Sequence, residues 1–149
     1  MIKTFSFELN GLTQRITHDG VDYLSAPVVP IRQGVLNGEL VLNEEIGRFV
    51  DAWNGIPLPI GHPEKNGNPI SAQAPDLVAQ SLGRLWNVSF NDYLSGELWL
   101  DIERATQMGY GWLITHIEGG KPVEVSTGYF RDVEISKGVY NNVKYQTIA

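Results

Sequence analysis

The chain has 149 residues, 42% of them apolar and 19% charged, which is the length and content of one domain with a real core rather than of a disordered chain. Its 17 acidic and 11 basic residues leave a formal charge of −6, and the basic residues are scattered singly, which argues against direct nucleic-acid binding or an anionic membrane surface. Cysteine is absent, so disulfide scaffolds, thiolate zinc sites and cysteine nucleophiles are excluded. No apolar run approaches the roughly 18 residues of a membrane span, and Glu8 interrupts any signal-peptide core, so the expectation is a soluble intracellular domain.

Phe5, Phe7 and Leu9 alternate with polar residues and predict a strand, with Leu12 to Thr17 as its hairpin partner beyond Asn10-Gly11. His18-Asp19-Gly20 predicts a turn, and Tyr23 to Ile31 an extended segment that Pro27 and Pro30 assign to a sheet edge. Asn37-Gly38 marks a hairpin between Val35-Leu36 and Leu40 to Leu42. Asn43 reads as an N-cap, followed by Glu44 and Glu45 in the first turn and an apolar stripe of Ile46, Phe49, Val50 and Trp53 that ends at Asn54-Gly55. Ile56 to Gly61 is extended and edge-like, and His62 to Ala79 is a long polar loop of the kind that carries function. Ser81 to Phe90 and Ser95 to Ile102 form a hairpin around Asn91-Asp92. Glu103 to Glu118 reads as a second helix with Ala105, Met108, Trp112 and Ile117 on one face, weakened at Gly109 and Gly111 by about 1 kcal/mol each. Pro122 to Phe130, Val133 to Ile135 and Val143 to Ile148 are strands. The fold class expected is β-rich α+β: a β-barrel of short, mainly antiparallel strands with about two outer helices.

Residues that carry chemistry are few. His18 reads as a turn residue and His116 as a helix-surface residue, whereas His62 closes a strand and opens the long loop. His62-Pro63-Glu64 lacks the downstream Pro-Cys-x-x-Cys of a zinc deaminase. A carboxylate-plus-histidine metal site from His62, Glu64 and Asp76 rests on residue type alone, so no metal and no cofactor is expected. In Val123 to Tyr129, Ser126 is a small hydroxyl two residues before Gly128, where a substrate can approach; it lies in no Gly-x-Ser-x-Gly elbow and needs a base, for which His62 is the best candidate. Trp86 and Trp99 read first as core residues and, on a third reading, as platforms of a small binding module.

Taken together, Ser25-Ala26-Pro27-Val28-Val29-Pro30-Ile31, Trp53 to Pro63, Leu82-Gly83-Arg84-Leu85, Glu97-Leu98-Trp99-Leu100-Asp101 and Glu124-Val125-Ser126-Thr127-Gly128-Tyr129 stand in an order that resembles a family of tailed-phage and prophage proteins, formerly a domain of unknown function. That family is related to the prohead maturation proteases and is distantly similar to the herpesvirus assembly protease, assemblin. The resemblance covers roughly residues 20–149. It implies a single protease-like domain over 1–149 with a barrel fold, acting as a serine endopeptidase inside the immature capsid, in the cytoplasm of the bacterial host. Its substrates would be scaffold and major capsid proteins and the protease itself, and self-association of the chain would be compatible with that role.

On this resemblance Ser126 is the nucleophile and His62 the general base, with backbone N–H groups near Thr127 and Gly128 as candidate oxyanion donors, each such donor being worth about 3–4 kcal/mol. The chain departs from the family in its third triad member. In assemblin this is a second histidine, and in the phage family a His-Leu-Ala-like segment follows the strand seen here as Tyr145-Gln146-Thr147-Ile148, whereas this sequence stops at Ala149. Neither His18 nor His116 matches that position, so either a carboxylate (Asp101 or Glu97) orients His62 or the third residue lies in a C-terminal segment that the chain lacks, the second being the expectation. Ala149, a small residue of the kind such proteases prefer before the cut, reads as a processing point or as the boundary of an expressed piece. The alternative is a non-catalytic capsid-assembly or scaffold domain on the same barrel.

Overall fold

The computed structural model describes residues 2–8, 13–36, 38–59, 64–66, 68–69, 79, 81–121, 124–130, 134–141 and 143–148. In chain order these form β1 (Ile2–Glu8), β2 (Gln14–His18), β3 (Val21–Val28), β4 (Gly34–Leu36), β5 (Glu39–Val41), α1 (Asn43–Ile46), a 3-10 turn (Val50–Trp53), β6 (Glu64–Lys65), β7 (Asn68–Pro69), β8 (Gly83–Asn91), β9 (Tyr93–Asp101), α2 (Ile102–Gln107), α3 (Gly111–Glu118), β10 (Glu124–Phe130), β11 (Glu134–Tyr140) and β12 (Val143–Ile148). One four-stranded sheet runs β2-β3-β9-β8, a second runs β11-β12-β5-β4, and β1-β10 and β6-β7 form two-stranded ribbons. All pairings are antiparallel except β12 with β5. The protein is therefore β-rich and mainly antiparallel with few short helices, and among the described residues no sheet closes into a barrel.

The tight hairpins fall where their turn residues predict them. Leu36 pairs with Glu39 around Gly38, which has φ +78°, and Asn91 pairs with Tyr93 around Asp92, which has φ +60°. The partner of β1 differs from expectation: it pairs with β10 rather than β2, which instead pairs with β3 around Asp19-Gly20. Alternation identifies a strand and its faces but carries no information on which strand lies beside it. Nor is β3 an edge, since β2 and β9 flank it. Pro27 is tolerated because β2 has ended by Ser25, leaving only β9 paired at that level. The run after Gly55 does lie along the side of β8 away from β9. Gly55 N–H bonds to Leu85 O, Leu85 N–H to Ile56 O, Leu58 N–H to Gly83 O and Leu82 N–H to Leu58 O, at 2.7–2.9 Å, with Pro57 bridging Arg84.

Both predicted helices are shorter and more broken than their apolar stripes suggest. Leu42, not Asn43, is the N-cap of α1, and no side chain caps it. Asn43 instead donates its backbone N–H to Gln33 and its side-chain amide to the Asp92 carbonyl. The helix stops at Gly47 and resumes only as a 3-10 turn, so Ile46 is buried while Phe49 is 70% exposed. The second helix breaks at Gly109, which has φ +86°, a conformation that L side chains rarely adopt. The break rotates α3 so that Ile114 and Ile117 face inward and Trp112 is 62% exposed, in place of the expected Met108–Trp112 face. Asp101 caps α2 through a 3.0 Å bond from the Arg104 N–H.

The core lies on one face of the β2-β3-β9-β8 sheet. Toward the β8–β9 turn, Val28, Leu85, Val88, Leu94 and Leu98 pack with Ile31, Val41 and Ile46. Toward the other end, Leu24, Ala26, Leu82 and Leu100 pack under Ala105 of α2 and Ile114 and Ile117 of α3. Each fully buried leucine stabilises the fold by about 1.5–3 kcal/mol relative to exposure. Strand parity then sends Tyr23, Ser25, Pro27, Glu97, Trp99, Asp101, Arg84 and Trp86 to the opposite face.

Candidate functional site

The residues expected to do chemistry fall on different parts of this frame. Ser126 lies on β10 opposite Ser6 of β1, with Thr127 opposite Phe5 and Gly128 opposite Thr4. Glu64 is in the backbone of β6. His62, Asp76 and Ala149 lie outside the described residues, as do the side chains of Ser126 and Thr127, so the Ser126–His62 pairing does too. Gly55 to Leu58, which precede His62 in the sequence, are bonded along β8.

Glu97 and Asp101, the two carboxylates considered for orienting a base, are both described and both have partners. Asp101 is the cap of α2. Glu97 is half-buried at the middle of β9, where its Oε1 accepts from the Ser25 hydroxyl at 3.2 Å, the Trp99 indole N–H at 3.1 Å and the Asn87 amide at 3.3 Å. Its Oε2 accepts from the same Asn87 amide at 3.3 Å. Asn87 reaches Glu97 because β8 shifts register between Trp86 and Ser89 and Asn87 adopts φ +53°. A bulge of this kind re-aims one side chain out of the regular alternation.

Around this carboxylate the outer face is aromatic. Trp99 is the hub, with ring centroids 5.5 Å from Tyr23, 5.7 Å from His18 and 6.5 Å from Trp86, all tilted or edge-on. Such arrangements add about 0.5–1.5 kcal/mol per pair to area burial. Trp86 stands opposite Glu97 in register and is 37% exposed. Neither tryptophan belongs to a core cluster, which corrects the first reading of both. Two shallow clefts flank the cluster. One of about 390 Å³ includes Asn87, Tyr93, Ser95 and Glu97, and one of about 290 Å³ includes Tyr23, Arg84, Trp86, Asp101 and Arg104.

The described cations nearby are tied elsewhere. Arg84 donates to the Gly55 carbonyl at 2.7 Å, Arg104 donates to the Ala79 carbonyl, and Arg32 stacks on the Tyr93 ring with its guanidinium carbon 4.3 Å from the centroid. On the core side of β2, Arg15 holds Glu118 of α3 through two bonds of 2.6 and 2.8 Å. The hydrogen bond to Arg15 lowers the Glu118 carboxyl below its ordinary pKa, and the same bond raises that of Arg15.

Sequence reasoning named Glu97, Trp86 and Trp99 but missed Ser25, Asn87, Tyr23 and His18 as their partners. The β3–β9 register carried the missing signal, since it sets Ser25 against Trp99 and Tyr23 against Asp101. Among the described residues no group of three His, Asp or Glu could hold a metal ion, and no helix is long and apolar enough to cross a membrane. No family model matches the chain, and no curated protein or solved structure matches it.

Proposed function

We propose that this chain is a serine endopeptidase of the phage prohead-maturation type, with Ser126 as nucleophile and His62 as general base. The observation that carries the reading is the order of the sequence motifs around both residues. Supporting it, the Ser126 motif is a strand, β10, and the Gly61-His62 motif comes three residues in sequence after Leu58, the last residue bonded along β8. In this reading the ribbons and sheets belong to a barrel, and residues 1–149 form one protease domain. It would act on scaffold and capsid proteins, and on itself, within the immature capsid of an infected bacterium.

In this reading His62 takes the Ser126 hydroxyl proton as the oxygen attacks the scissile carbonyl and returns it to the leaving amine. The oxyanion that forms needs aimed N–H donors, for which the backbone around Thr127 and Gly128 is the candidate. The test is cleavage of a scaffold substrate, and of a C-terminally extended form of the chain, by wild type and by Ser126→Ala. Loss of both cleavages with an unchanged circular dichroism spectrum supports the assignment, and undiminished cleavage by the variant overturns it.

The second reading is a non-catalytic capsid-assembly or scaffold domain. The exposed Trp86 beside a fixed carboxylate favours it, because a rigid polar-aromatic face is what a binding module presents. Wild-type chain that cleaves nothing but co-assembles with capsid or scaffold protein would select it.

A further inference from the structure

We propose that the outer face of the β2-β3-β9-β8 sheet is a docking site for a lysine or arginine side chain of a polypeptide partner, held between the Glu97 carboxylate and the Trp86 ring. This site is independent of any chemistry at Ser126.

The argument starts from the charge of Glu97. Every donor that holds it is neutral: a serine hydroxyl, an indole and a side-chain amide. No Lys, Arg or His among the described residues lies within 4.0 Å of it. The carboxylate is thus positioned without a cationic partner among the described residues. Three donors converge on Oε1, while Oε2 accepts only from Asn87. A carboxylate oxygen has room for a further donor, so Oε2 is the open acceptor.

Across from that carboxylate stands Trp86, a partly exposed ring of the aromatic cluster at 37%. Trp86 faces Glu97 directly across the β8–β9 pair, where side chains lie about 4.5–5.5 Å apart at Cβ. Tryptophan is the strongest cation–π partner, and a cation that pairs with Glu97 is placed to lie over it. The cleft of about 390 Å³ that includes Asn87 and Glu97 has no other charged side chain in its lining and offers Pro27 and Val29 as apolar wall for an aliphatic stem, Arg32 already standing on the Tyr93 ring. Trp86 lines the adjoining cleft of about 290 Å³ together with Arg84 and Arg104. The guanidinium of Arg84, on the same face, is occupied by the Gly55 carbonyl. The complementarity is therefore to a cation on a long aliphatic stem, and the net charge of −6 favours the approach of a basic segment.

The site is also preorganised. β9 is paired on both sides, and the bulge that brings Asn87 onto Glu97 fixes the carboxylate before any partner arrives.

The test uses the full chain with three capped peptides of alternating glycine and lysine, glycine and arginine, or glycine and norleucine. Binding is followed by tryptophan fluorescence and by the indole N–H signals of Trp86 and Trp99. The lysine and arginine peptides should shift both indole signals saturably, and the norleucine peptide should not. Glu97→Gln should weaken binding at least tenfold and Trp86→Leu several-fold, while Glu103→Gln, which removes the same charge on α2, should leave binding unchanged. Trp86→Leu keeps the test decisive if Glu97→Gln perturbs the local structure. Equal binding of the norleucine peptide, equal weakening by Glu103→Gln, or unmoved indole signals would overturn the proposal.

Discussion

Trp99 donates its indole N–H to the carboxylate of Glu97, two residues earlier on the same strand, at 3.1 Å. That bond, with those from Ser25 and Asn87, makes Glu97 the fixed point of the outer face. Truncation to alanine leaves the Ser25 hydroxyl, in a residue only 4% exposed, without this acceptor. An orphaned buried donor costs about 1–3 kcal/mol. Glu97→Ala is therefore expected to destabilise by that amount in urea unfolding. Glu97→Gln keeps an acceptor oxygen and should cost less than half as much.

Gly83 is fixed by close approach rather than by a turn. A Cβ at that position would lie 1.9 Å from the Trp99 carbonyl oxygen and 2.8 Å from its carbon, both backbone atoms that cannot swing aside. Overpacking costs about 1–3 kcal/mol where side chains yield, and here the β8–β9 pairing itself must open. Gly83→Ala is expected at or beyond the top of that range. Broadened or shifted Trp99 signals should accompany the loss, and a variant as stable as wild type would contradict the register.

Leu24 and Leu100 are paired across β3 and β9, and each is at most 1% exposed beneath α2 and α3. Truncation of either to alanine leaves a cavity that the two-helix lid must collapse into, and such changes cost about 2–5 kcal/mol. The two residues share the same space, so the double variant should lose less or more than the sum of the singles by at least about 0.5 kcal/mol. Strict additivity in thermal unfolding would show that they do not share a cavity.

How much of this was legible beforehand depends on whether the information is local. The β8–β9 hairpin, the Leu36–Glu39 turn and the strand of Ser126 were readable, because alternation and Asn-Asp-Gly turn residues act within a few positions. The pairing of β1 with β10 and of β2 with β3 was not, since nothing in an alternating segment names its neighbour. Helix ends failed for a related reason: the Ile46–Trp53 stripe is sound as a pattern, but periodicity does not fix where a helix ends, and α1 stops at Gly47 and leaves Phe49 in solvent. The outer site was half visible. Glu97, Trp99 and Trp86 stood out by type, whereas Asn87 entered through a bulge that no spacing rule announces.

The Arg15–Glu118 pair makes a prediction about pH. It ties β2 to the end of α3 across 103 residues of sequence through a two-pronged contact. The side chains are 59% and 33% exposed, so the gain is modest and screened by salt. The Arg15 hydrogen bond holds the folded-state pKa of Glu118 below that of the unfolded chain. A group of this sign stabilises fully above its unfolded pKa, and its contribution is lost as pH falls through the folded value. At neutral pH, Glu118→Gln should therefore lower the melting temperature by no more than a few degrees. The deficit should shrink as acid protonates Glu118 in the wild type, and molar salt at neutral pH should shrink it too. Arg15 stays charged across this range, so Arg15→Ala should show the same acid convergence. A deficit that persists undiminished below the carboxylate range would show that Glu118 supports α3 by something other than its charge.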